Sequence, residues 1–232
     1  TPPNTRYRRP PTLLGVFGFE EGIRFRGSPF SRRDCVPRHT LRYMGRNEPV
    51  RSVFGDFELT MNELRVVTQY VAESAQDVLP VFEEAVPQDR RPRAALDAAW
   101  EFVGGARRTR LQRVTASDAH RAAKQASTES VSLAARCAGD AAAAAYLHPI
   151  ARATQVGHIL RAAASAARIA ELRADGDPAV GSAMIEQARR RATPVLVDVL
   201  SRYPLASTSR TRVGHLMRTL DLSLRNGGPQ QP

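Results

Sequence analysis

Residues 131–172 read VSLAARCAGDAAAAAYLHPIARATQVGHILRAAASAARIAEL, and sixteen of these forty-two residues are alanine. Alanine has the highest intrinsic helix propensity and loses no side-chain entropy on folding. The stretch therefore predicts helix. His148-Pro149 divides it, because proline disfavours helix at the residue before it and suits a first helical turn. One helix is expected to end near Leu147 and a second to start near Pro149. Val131, Ala135, Ala138, Ala142 and Ala145 fall three or four apart, as one helical face requires. So do Ala153, Gly157, Leu160, Ala164 and Ala167. Two faces of small residues let helix axes approach closely, which predicts an antiparallel hairpin at the centre of the fold.

Outward from this pair, further starts and stops are legible. Thr60-Met61-Asn62-Glu63 fits a capping box ahead of the apolar positions Leu64, Val67, Val71, Val78 and Phe82. Pro80 is expected to kink or split that helix. Asp89-Arg90-Arg91-Pro92 reads as a second start, with Leu96, Trp100 and Val103 as its buried stripe and Gly104-Gly105 as its stop. A third helix, about 107–125, has Leu111, Val114 and Ala122 as its apolar positions. Ser127 or Thr128 caps the fourth. After the hairpin, Asp175-Gly176-Asp177-Pro178 is a stop and restart. The next helix carries Val180, Met184 and Ala188. Thr193-Pro194 kinks it or caps another, and a last helix runs to about residue 225 with Val213, Leu216, Met217, Leu220 and Leu224 on its face. No strand-like alternation persists. The expectation is an all-α fold: a single bundle of about seven helices over residues 56–225, around an Ala-rich antiparallel hairpin, with a disordered Arg/Pro/Gly-rich extension at 1–55 and a disordered tail at 226–232. Translation starting at Met44 would remove most of the first segment.

The formal net charge of +11 suggests an anionic partner, but its distribution weakens that reading. Residues 1–54 hold 11 Arg against 4 acids, residues 55–206 hold 19 basic against 18 acidic side chains, and residues 207–232 hold 4 Arg against 1 Asp. The expected folded body is close to neutral. The clusters Arg107-Arg108-Thr109-Arg110 and Arg189-Arg190-Arg191 fan around their helices and lack interleaved aromatics for base stacking. Nucleic acid is not the expected partner. The 2 cysteines, Cys35 and Cys137, cannot build a disulfide framework or a four-ligand metal site. No apolar run reaches the roughly 18 residues of a membrane span, and a cytoplasmic location without membrane association is expected.

The catalytic signatures are missing. The chain's one lysine, Lys124, does not sit in GxxxxGK[ST], so P-loop ATP hydrolysis is excluded. No HxxxH or HExxH spacing occurs. His148 and His158 would be about 15 Å apart along one straight helix. Ligands converging from different helices, Asp118, His120, Asp140 and His148, are the candidate metal set; the bland reading has His148 capping a helix end and His158 hydrogen-bonded within the hairpin. Ser117-Asp118-Ala119-His120 holds triad residue types at a weak spacing. Asp97 and Glu101 form an i, i+4 carboxylate pair, expected to be solvated.

With these residues in view, positions from about 56 to 225 resemble a family of actinobacterial all-helical immunity proteins of polymorphic-toxin systems. The resemblance is carried by Asp89-Arg90-Arg91-Pro92-Arg93-Ala94, by the Ala/His-rich helices around Ala141–His148, and by Gly157-His158 with the alanine run after it. Some relatives carry the label exonuclease SbcC, which implies a Walker ATPase with a long coiled coil; this sequence has neither. The resemblance implies a non-enzymatic protein that binds a cognate toxin and blocks it, with no cofactor and no catalytic residue. Exposed charges on the second and third helices, Arg93, Asp97, Glu101 and Arg108, are the candidate partner-binding residues. A metal-dependent hydrolase using the His/Asp cluster and a nucleic-acid binder are the alternatives.

Overall fold

Residues 57–227 are described by a computed structural model of the chain. The expectations placed on residues 1–55, including Cys35 and a start at Met44, fall outside them. Among the described residues there are eight helices and no strand: α1 (Met61–Ala85), α2 (Arg91–Val103), α3 (Arg110–Gln125), α4 (Glu129–Ala144), α5 (Ala153–Arg173), α6 (Pro178–Arg191), α7 (Pro194–Ser201) and α8 (Arg212–Asn226). The fold is all-helical, as the sequence predicts.

Helix α4 is the hub, packed against α1, α2, α3 and α5. Its predicted small-residue face is buried, and so are Ala134, Cys137, Ala141 and Ala144 on its other sides. A helix buried nearly all round must be apolar nearly all round, and an alanine-rich one brings its neighbours close. The pairing with α5 is antiparallel: Asp140 meets Arg161, Cys137 meets Ala162 and Glu129 meets Arg168, so later residues of α5 answer earlier residues of α4. The Cys137 thiol reaches the Ala162 backbone carbonyl at 3.5 Å. A side chain that short touching the opposite backbone requires closely set axes.

The connection between the two helices differs from expectation. Helix α4 ends at Ala144 and α5 begins at Ala153, so Pro149 lies in the connection and not in a first turn. Tyr146 and Leu147 donate to the carbonyls three residues back, which tightens and ends the helix. His148 then precedes the proline and is steered from helical backbone.

Most caps fall where the sequence puts them. Glu63 N–H donates to the Thr60 hydroxyl at 3.2 Å and Thr60 N–H to the Glu63 carboxylate at 2.7 Å. Thr128 caps α4, and Thr193 caps a separate α7 with Pro194 at its start. Pro80 does not split α1. The single N–H it removes is tolerated where Leu79 and Phe82 hold that turn fully buried.

Three predicted stripes are rotated. In α2 the buried positions are Ala95, Leu96, Ala99 and Phe102, whereas Trp100 and Val103 are half-buried. In α6, Gly181, Ile185 and Ala188 face inward, and Val180 and Met184 lie at the margin. Helix α3 departs furthest. Leu111 and Val114 are 44% and 41% exposed, while Gln112, Thr115, Ala116 and Ala119 are buried. Polar side chains face the core here because each is satisfied there: Gln112 Nε2 donates to the Ala98 carbonyl at 3.2 Å, its Oε1 accepts from Thr109 N–H at 3.0 Å, and the Thr115 hydroxyl donates to the Leu111 carbonyl at 2.9 Å.

Candidate functional site

Where α3, the end of α4 and the start of α5 come together, they leave a cavity of about 540 Å³ lined by Arg113, Ala116, Ser117, His120, Ala143, Tyr146, His148 and His158. Its volume lies within the range of small-ligand sites, roughly 300–1,000 Å³. Helix α3 supplies one wall through Arg113, Ala116, Ser117 and His120, which recur three or four apart and so share a face. Tyr146 and His148 come from the α4–α5 connection. His158 comes from the first turns of α5.

At the back of this region, Asp140 is 1% exposed and held by Arg161 through two hydrogen bonds, Nε to Oδ2 at 2.8 Å and Nη2 to Oδ1 at 2.6 Å. Such a bidentate pair satisfies most of the carboxylate's acceptor capacity. His120 Nε2 lies 3.6 Å from Asp140 Oδ1, an electrostatic neighbour outside hydrogen-bond range. His158 Nδ1 is sealed from solvent and has no hydrogen-bond partner among the described residues. Burial pushes the His120 pKa down; Asp140 opposes this and Arg161 adds to it. Burial pushes His158 down as well, with Arg161 acting in the same direction. Both imidazoles are therefore neutral near pH 7. The Arg161 guanidinium is pushed the other way, further above its ordinary range, by its bond to Asp140.

At the rim, the Tyr146 ring carries two guanidinium groups, Arg113 at 4.4 Å and Arg108 at 4.8 Å from its centroid. Its hydroxyl donates to the Thr109 carbonyl at 2.7 Å, and Arg108 Nη1 donates to the Ala145 carbonyl at 3.2 Å. These contacts fix the start of α3 to the end of α4.

The structure brings only part of the candidate metal set together. His120 and His148 line one cavity, and Asp140 lies behind His120. Asp118 is on another side of α3 and pairs with Arg121. Among the described residues, no three His, Cys, Asp or Glu side chains group closely enough to hold a metal ion. Nor does a nucleophile–base pair form: Ser117 and His120 share a wall, but among the described residues no hydrogen bond joins them. His148 does not cap a helix with its side chain. Its exposed ring lines the cavity, while its backbone N–H donates to Gln155 Oε1 at 3.2 Å and its carbonyl accepts from the Tyr203 hydroxyl at 2.9 Å. His158, expected to be hydrogen-bonded within the hairpin, has no partner at its buried Nδ1 among the described residues.

Of the candidate partner-binding residues, Arg93, Asp97 and Glu101 line up on the outer face of α2. Asp97 and Glu101 are exposed, whereas Arg93 is tied to Glu83 of α1 by two hydrogen bonds of 2.8 Å. Arg108 is exposed and sits at the cavity rim. Sequence reasoning missed His158, Arg113 and Tyr146 as parts of one site. Three imidazoles in a chain with only 5 histidines were the available signal, but the two turns that converge them depend on where α4 stops.

The described residues thus form an all-helical body with a half-open cavity of imidazoles and arginine beside an exposed charged face on α2. A family model described as "Imm-5 like putative immunity protein" matches residues 58–192, more than half of the chain. The chain belongs to this family. No curated protein and no solved structure matches it.

Proposed function

We propose that this chain is an immunity protein that binds a cognate toxin one-to-one and blocks it without turning over a substrate. The observation that carries this reading is the family match, which spans α1 to α6 and so includes every helix that builds the cavity and the charged face of α2. We assign the toxin-facing surface to α2 and α3. Arg93, Asp97, Glu101 and Arg108 supply charge there, and Leu111 and Val114 supply an apolar centre. Arginine is enriched at protein interfaces, and Leu111 and Val114 are large apolar side chains left exposed beside Arg110 and Arg113.

Co-expression with a candidate toxin, sought among the genes neighbouring this one, tests the reading. Protection of growth and a one-to-one complex on size-exclusion chromatography with light scattering are expected. A chain that neither protects nor associates sinks it.

A further inference from the structure

The cavity between α3, α4 and α5 has a one-sided chemistry. Arg113 is exposed and has no carboxylate partner among the described residues; its guanidinium rests on the Tyr146 ring. The carboxylate behind the cavity, Asp140, is occupied by Arg161. His158 Nδ1 is sealed and unpartnered. A buried N–H without an acceptor is among the rarest features of folded proteins, and an unused lone pair is better tolerated. The proton of neutral His158 therefore belongs on Nε2, which leaves an N–H donor for the cavity the ring lines. His120 and Ser117 add donors from α3. The walls offer a fixed cation and several hydrogen-bond donors, and no uncommitted anion.

We propose that this cavity binds an oxyanion, a carboxylate or phosphate group, with Arg113 supplying the charge and His158 and His120 the directed hydrogen bonds. The ligand's charge replaces what the imidazoles lack. Around His120 the charged groups are Asp140 and Arg136 on α4, Arg161 on α5 and Lys124 on α3. Around His158 they are Arg161, Asp140, His120 and His148. Apart from Asp140 all of them are cationic or become so on protonation. An oxyanion in their midst favours the protonated rings, so binding takes up protons and tightens as the pH falls through the histidine range.

The test is a titration of the full chain with sodium phosphate, and separately with sodium acetate, against sodium chloride at matched ionic strength. The histidine Cε1–H NMR signals are the readout, assigned with His120→Gln and His158→Gln. Saturable shifts of His120 and His158 with at least one oxyanion, and not with chloride, are expected. Their apparent pKa values should rise by about one unit on saturation; for acetate, whose charge is constant over this range, affinity should be about tenfold higher near pH 6 than near pH 8. Arg113→Gln gives up one exposed cation–π contact on Tyr146, so the chain stays folded, and it should weaken binding about tenfold or more. Absence of saturable shifts with both oxyanions overturns the proposal, as do shifts that persist unchanged in Arg113→Gln.

The co-expression assay separates two sources of the group. Loss of protection in Arg113→Gln assigns the oxyanion to an acidic group of the toxin. Retained protection assigns it to a free small molecule; the site stands in either case. If the native chain fails to protect, the immunity reading falls while the titration still decides the site.

Discussion

The imidazole of His120 lies flat on α4 at Gly139: a Cβ at that position would stand 2.9–3.0 Å from three of its ring atoms, Cε1, Nδ1 and Nε2. Glycine at the middle of a helix costs roughly 0.5–1 kcal/mol relative to alanine, so something must be gained by it here. The gain is the placement of a cavity ring.

Gly139→Ala should therefore disturb the cavity more than the fold. His120 is 38% exposed and can swing outward, so the clash is relieved cheaply and the helix-propensity gain partly offsets it. Stability is expected to stay within about 1 kcal/mol of the native chain. The His120 signal should move toward that of a solvated histidine. A large loss of stability with an unchanged His120 signal would contradict this account.

Gly181→Ala has the opposite expectation. A Cβ there would overlap the Glu171 side chain, 2.6 Å from Cδ and 2.7 Å from Cγ. Glu171 is 1% exposed and holds Arg168 of its own helix and Arg212 of α8. It cannot turn away without stranding a charge, and breaking a buried pair costs about 3–5 kcal/mol. Both arginines retain solvent contact, which lowers the figure, so a loss of about 2–3 kcal/mol in urea unfolding is expected. The pair of glycine substitutions distinguishes a site from a structural joint.

The helices themselves were legible because their signals are local. Thr60 with Glu63, Thr128, Thr193 with Pro194 and the alanine run each act within a turn of themselves. Rotation about a helix axis is not local. Phe102 is fully buried and Trp100 is not, although both fit a helical stripe, because α2 lies in a groove whose walls are α1, α3 and α4. The cavity was harder still to foresee. Its imidazoles come from α3, the α4–α5 connection and α5, and their convergence depends on α4 ending at Ala144, three residues earlier than expected.

Helix α3 supplies a test of that rotation. Leu111→Ser and Val114→Ser remove apolar side chains that face solvent, so stability should change by no more than about 0.5 kcal/mol. Phe102→Ala, by contrast, opens a hole in the core and should cost about 3–5 kcal/mol. Equilibrium denaturation of the three variants decides the matter. A loss of more than about 2 kcal/mol for Leu111→Ser would mean that α3 is turned the other way. If instead the two serine variants fold normally and lose protection in co-expression, the exposed pair belongs to the toxin-facing surface.

Stability should fall in two stages as the pH is lowered. His120 and His158 have folded pKa values below the unfolded value of about 6.5, because burial disfavours their charged forms. Below that pH the unfolded chain binds more protons than the folded one, so stability present at pH 7 and above is lost as the pH drops through the histidine range. Glu63, Glu83, Asp89 and Glu171 follow in a lower window. Hydrogen bonding is the largest cause of depression in each: from the Thr60 backbone to Glu63, from Arg93 to Glu83, from Arg91 to Asp89 and from Arg212 to Glu171. Their contribution is present above about pH 4.5 and disappears as the pH falls through the folded values. Urea midpoints measured from about pH 8 to pH 3 in dilute salt should trace both steps. The double variant His120→Gln, His158→Gln should flatten the first step and leave the second. A first step that survives both substitutions would assign it to other groups and remove the two half-buried imidazoles from the account.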